Sequence, residues 1–164
     1  MAKVITFSRT FPAYHPKSGE STNFVEKFWE SVGLPDKEYC FNLPDEYQSF
    51  LRQDNNVIWA KHHTIRSGNR WKKGDYFSPR VWSGKPYNSK MITIAPDILI
   101  TDILDFKILN GLIFIDGESF NFGEKIIYNI AKNDGLNRID LLDWFKYPAP
   151  FSGQIIIWNE SIKY

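Results

Sequence analysis

Lys61, Thr64 and Arg66 are the residues whose types and spacing could do chemistry. They sit in the run Lys61-His62-His63-Thr64-Ile65-Arg66, which reads as a strand ending in a turn at Ser67-Gly68-Asn69. Alternate strand residues share a face, so Thr64 and Arg66 point one way and Lys61 and Ile65 the other. Lys61 meets Thr64 only if the chain bulges between them or if Lys61 precedes the strand, and Trp59-Ala60 ahead of it fits the second arrangement. A hydroxyl beside a desolvated amine can act as nucleophile with the amine as its base. The plain alternative is a surface cation and a strand hydroxyl, because this spacing is common by chance. His62 and His63 suggest a metal, but neighbouring strand residues face opposite ways and cannot share an ion. His15 is the only other histidine and Cys40 the only cysteine, so neither a metal site nor a cofactor is expected. His63 is expected instead to stack on, or hydrogen-bond, a bound ligand.

The residues that follow extend this chemistry. Between Lys61 and Lys90 there are eight Lys or Arg and one acid, a net charge of seven, so the other 134 residues carry six net negative charges behind a total of +1. Arg66, Arg70, Lys72, Lys73 and Lys85 form a candidate phosphate-facing rim, and Trp71, Trp82 and Tyr87 are candidate rings for stacking on bases. Trp71, between Arg70 and Lys72, is expected to be the most exposed of the three. Such a mixture suits a surface that meets phosphates with charges and bases with rings. A solvated strand face with core aromatics would read the same way.

The elements that must position these groups come from a 164-residue chain with 43% hydrophobic and 16% aromatic residues, enough for one folded domain over 1–164. A lone cysteine leaves no internal disulfide, so a reducing, cytoplasmic setting is expected. No apolar run is long enough to span a membrane, and the N-terminal one is too short for a signal peptide. Lys3–Arg9 reads as a strand. Asn23 with Glu26 resembles a capping box opening an amphipathic helix that Gly33 and Pro35 stop. Pro44-Asp45-Glu46 suits the start of a short helix ending near Arg52. Strands are expected over Tyr76–Trp82, Lys90–Ala95, Ile98–Leu109 and Leu112–Ile115, the last closing at Asp116-Gly117. Helices are expected over Gly123–Asn133 and, capped by Asn137 with Asp140 in the capping-box slot, over Asn137–Phe145. Gly153–Trp158 reads as a last strand. Mostly consecutive strands with a few helices imply an α+β fold, a small mixed β-barrel with helices packed outside.

Lys61-x-x-Thr64-Ile65-Arg66 followed by Trp71-Lys72-Lys73-Gly74-Asp75 resembles the ASCH domain family, a branch of the PUA-like barrels. Ala131-Lys132-Asn133-Asp134-Gly135-Leu136, Asp140-Leu141-Leu142-Asp143-Trp144-Phe145 and Gly153–Trp158 are similar to its late helices and closing strand. The resemblance spans roughly 57–160 and the first strand, leaving a helical N-terminal insertion at about 11–56. Trp59 stands where the signature has glycine.

The resemblance implies a cleft that binds RNA or a nucleotide-like ligand. Its enzymatic branch implies an alternative, an amidohydrolase that deacylates a modified nucleoside such as acetylated cytidine. Thr64 would then be the nucleophile and Lys61 its base, with Asp134 as the acid that orients them, one methylene shorter than the family's glutamate. A third possibility is a protein partner on the insertion, where Trp29, Tyr39 and Phe41 could supply an apolar patch.

Overall fold

The computed structural model describes residues 1–33 and 59–164. The expected helix from Pro44 to Arg52, the candidate partner residues Tyr39 and Phe41, and half of the expected insertion lie outside the described residues.

Nine strands and three helices are described: β1 (Lys3–Thr6), α1 (Phe24–Val32), β2 (His63–Ser67), β3 (Tyr76–Trp82), β4 (Met91–Thr93), β5 (Ile98–Leu99), β6 (Asp102–Leu109), β7 (Leu112–Ile115), β8 (Glu118–Phe120), α2 (Lys125–Asn133), α3 (Arg138–Trp144) and β9 (Phe151–Ile157). The fold is α+β, as expected. It is not a closed barrel, however: the strands form two sheets. In the first, β1 runs parallel to β3, with Lys3 opposite Phe77 and Thr6 opposite Arg80, and β4 and β5 pair antiparallel with β3. In the second, β2-β9-β6-β7-β8 is antiparallel throughout. The edge strands β1 and β2 are bridged by a side chain, where a closed barrel would have a backbone ladder. Arg66 Nη2 donates to the Thr6 carbonyl at 2.5 Å.

The Ile98–Leu109 run shows why periodicity alone overestimates a strand. Ile100 N donates to the Asp75 carbonyl and Thr101 N to the Ile157 carbonyl, so the chain passes from the first sheet to the second between them. One apolar run therefore serves two sheets.

Phe7 from the end of β1, Phe28 from α1, Phe77 from β3 and Trp158 after β9 pack together in the core, with ring centroids 5.1 to 6.4 Å apart. The apolar stripe of α1 is core: Phe24, Val25, Phe28 and Trp29 are buried. Trp29 therefore anchors the interior, its indole N–H donating to the Ile94 carbonyl at 2.7 Å. The expected capping box at Asn23 does not form. Asn23 is left-handed (φ 53°) and its side chain accepts from the Ser21 hydroxyl, while Thr22 Oγ1 accepts from Phe24 N at 3.2 Å. At α3 the expected cap is present: Asn137 Oδ1 accepts from Asp140 N at 2.8 Å.

Candidate functional site

The seam between β1 and β2 opens into a cleft of about 210 Å³, and Lys61, Thr64, Arg66 and Asp134 all line it. Local anchors bring Lys61 there. It precedes β2, with its amide donating to the Lys27 carbonyl of α1, while the His62 amide donates to the Asn133 carbonyl at the end of α2. Asp134 caps α2 just before Gly135, whose φ of 77° turns the chain toward α3.

Lys61 and Asp134 form a buried pair. Lys61 Nζ donates to Asp134 Oδ1 at 2.5 Å and to the Asp134 carbonyl at 2.9 Å, and it lies 4.1 Å from the centre of the Phe24 ring. The two residues are 1% and 5% exposed. Desolvation pushes the Lys61 amine down to about 8; Asp134 resists this, and Arg66 and Lys27 add to it. Desolvation also raises the Asp134 carboxyl above its ordinary value, against the pull of Lys61, Arg66 and Lys27. A titratable pair shifted by burial and facing a cleft is a common mark of a working site.

Arg66 uses Nη2 on Thr6 and, among the described residues, keeps a buried Nε without a hydrogen-bond partner. Trp82 and Tyr87 form a side wall, their rings 5.2 Å apart and tilted by 49°. Tyr87 holds a left-handed backbone (φ 65°) and is 87% exposed, so its ring stands at the mouth.

No family model matches this chain, and no curated protein or solved structure does either. The site therefore has to be read from its own chemistry.

Several expected site residues fall elsewhere. Trp71, expected at the surface, is 2% exposed. Its backbone N–H and carbonyl are both bonded by the Gln154 amide at 3.1 Å, and Lys3 and Arg70 lie 5.3 and 5.1 Å from its ring centre. The flanking cations cover a buried indole rather than advertise an exposed one. His63 is fully buried and is not among the cleft-lining residues; it packs behind Asp134 against Tyr164. Arg70, Lys72, Lys73 and Lys85 are exposed but lie outside the cleft lining. Among the described residues, no group of three or more His, Cys, Asp or Glu is placed to hold a metal ion.

Sequence reasoning missed Phe24, Trp144 and Phe145 as cleft residues, together with Thr6 and Ser8 at the end of β1. Helical spacing marked the aromatics as apolar and nothing more, since no local signal tells a core ring from a cleft ring.

Proposed function

We propose that this chain binds single-stranded RNA or a nucleotide by taking one base into the β1–β2 cleft, as an ASCH-like domain of the PUA-related group. The observation that carries this reading is the shared cleft itself: Lys61, Thr64, Arg66 and Asp134 supply hydrogen-bonding groups beside the Trp82–Tyr87 wall. Its volume falls below the roughly 300–1,000 Å³ of sites for drug-sized ligands, which suits a single base better than a large ligand. RNA is generally read through unstacked bases laid on aromatic rings. The exposed cations Lys72 and Lys85 would then meet flanking phosphates, joined by Arg70 and Lys73 where these give up the Trp71 ring and the Asp102 carboxylate, 5.1 and 4.0 Å away. On this reading the two sheets are a PUA-like barrel opened along the β1–β2 seam. A lone cysteine also agrees with a reducing compartment, so the cytoplasm is the proposed location.

Titration with a short oligocytidine RNA by calorimetry tests the proposal. Affinity is expected to fall steeply with salt, and less steeply once Lys72→Ala removes a phosphate contact. Trp82→Ala is expected to weaken binding by about 1–3 kcal/mol, or about 5- to 150-fold. Affinity indifferent to both salt and Trp82 would refute it.

A second reading is favoured by one specific observation: the amine lowered to about 8 shares the cleft with the Thr64 hydroxyl. On this reading neutral Lys61 Nζ takes the Thr64 proton as Oγ1 bonds to the acyl carbon of an acylated base. Collapse expels the exocyclic amine, which recovers the proton from Lys61, and water then cleaves the acyl-threonine to free acid and hydroxyl. Hydrolysis of acetylated cytidine, followed chromatographically, is expected to rise as pH passes about 8 and to disappear in a folded Thr64→Ala variant. Undiminished turnover in that variant would eliminate Thr64 as nucleophile.

A further inference from the structure

His63 is buried behind the cleft with one unexplained atom. Its Nδ1 meets the Tyr164 hydroxyl, while Nε2 makes no well-aligned hydrogen bond among the described residues, with the Ile130 carbonyl facing the ring and Asp134 Oδ1 3.8 Å away. Buried polar groups in folded proteins are nearly always paired, so a poorly paired nitrogen beside a carboxylate calls for a physical account.

The neighbours decide which nitrogen carries the proton. A proton on Nδ1 would turn the Nε2 lone pair toward the Asp134 carboxylate, like against like. A proton on Nε2 lets the Tyr164 hydroxyl donate to Nδ1 and aims an N–H at the carboxylate. Burial holds the ring neutral, reinforced by the charges of Lys61 and His62; the Ile130 carbonyl acts in the opposite sense. Asp134 Oδ1 is meanwhile engaged by Lys61 Nζ at 2.5 Å. The carboxylate thus stands between two donors: Lys61, bonded to it, and His63, whose N–H has the Ile130 carbonyl as its other acceptor.

We propose that His63 is a positioning residue that receives the Asp134 carboxylate when Lys61 Nζ leaves it for a bound ligand, with Tyr164 fixing the tautomer that does so. The device lets Lys61 act on a ligand without stranding a buried carboxylate, a state that is strongly unfavourable. The ligand-driven half of this rests on the cleft being the ligand site, while the second resting place for Asp134 exists with or without a ligand.

Proton–nitrogen NMR of the imidazoles in the full chain tests both halves, with the His63 signals identified by their loss in His63→Gln. Wild type is expected to show the neutral Nε2–H tautomer, and Tyr164→Phe a mixture of tautomers. In Lys61→Met the Nε2 proton is expected to move downfield and the ring to titrate at higher pH than in wild type. Adding Asp134→Asn should reverse the proton shift. Should Lys61→Met not fold, raising wild type well above pH 8, where Lys61 sheds its proton, must move the same signal. An Nδ1–H ring in wild type, or an Nε2 proton indifferent to the loss of Lys61 charge, overturns the proposal. With cytidine 5′-monophosphate, the downfield shift is expected to track calorimetric saturation. Saturation without the shift overturns the positioning role and leaves the binding reading standing. Absence of any heat of binding overturns the binding reading and the ligand-driven half with it, while the Lys61→Met result decides the rest.

Discussion

Asp134→Ala is expected to lower the folding free energy by about 3–5 kcal/mol, the usual consequence of stripping one partner from a buried ion pair. The residual Lys61 ammonium would keep the Asp134 backbone carbonyl and the Phe24 ring face, with Arg66 and Lys27 adding like charge nearby. The pH dependence has a definite sign. Lys61 ionises in the fold at about 8, below its ordinary 10.5, so between those values the unfolded chain binds more protons and the Lys61 contribution to stability rises with pH. Below that window its penalty is fully present. Without Asp134 the folded value falls further, and the rising window is expected to begin at lower pH. Lys61→Met/Asp134→Leu, which removes both charges, is expected to recover most of the loss. Denaturant unfolding at several pH values measures all of this, and a cost below about 1 kcal/mol for Asp134→Ala would show the pair to be effectively solvated.

Gly153→Ala is expected to cost about 3 kcal/mol or more, at the upper end of overpacking penalties. Gly153 lies in β9 opposite Ser67 of β2 and Phe106 of β6. A Cβ there would stand 2.1 Å from the Arg66 carbonyl oxygen and 2.9 Å from both the Arg66 carbonyl carbon and Phe151 Cε1. Relief requires β2 to move off β9, which carries Arg66 away from Thr6 and widens the cleft. Ligand affinity is therefore expected to fall along with stability. Gly123→Ala, where a Cβ meets nothing within 4 Å, is the control and should stay within about 0.5 kcal/mol of wild type. If the two variants melted together, the close approach of β2 to β9 would not be a constraint.

Much of the local architecture was legible because its causes are local. β3 and β7 occupy the spans expected from their β-branched and aromatic residues. Asp116 and Gly117 both adopt the positive φ that their hairpin needs (49° and 84°). Asn137 caps the helix it was expected to cap. Lys61 precedes β2, as one of the two arrangements open to it required, and so reaches the cleft that Thr64 and Arg66 also line.

Other features depend on distant partners. Trp71 reads as exposed from its basic neighbours, yet Gln154, 83 residues away, fixes it inside. The Asp134 carboxylate finds Lys61 across 73 residues, and His63 finds Tyr164 across 101. Phe24 and Trp144 become cleft walls only when α1 and α3 are brought together, with ring centres 5.6 Å apart. Residue type and short-range spacing determined the strands, turns, caps and apolar faces, because backbone sterics and side-chain periodicity act over a few residues. Only the packing of two sheets and three helices decided which charges were desolvated, which rings faced the cleft and which donors faced the Asp134 carboxylate, because burial belongs to surfaces that meet and not to segments of chain.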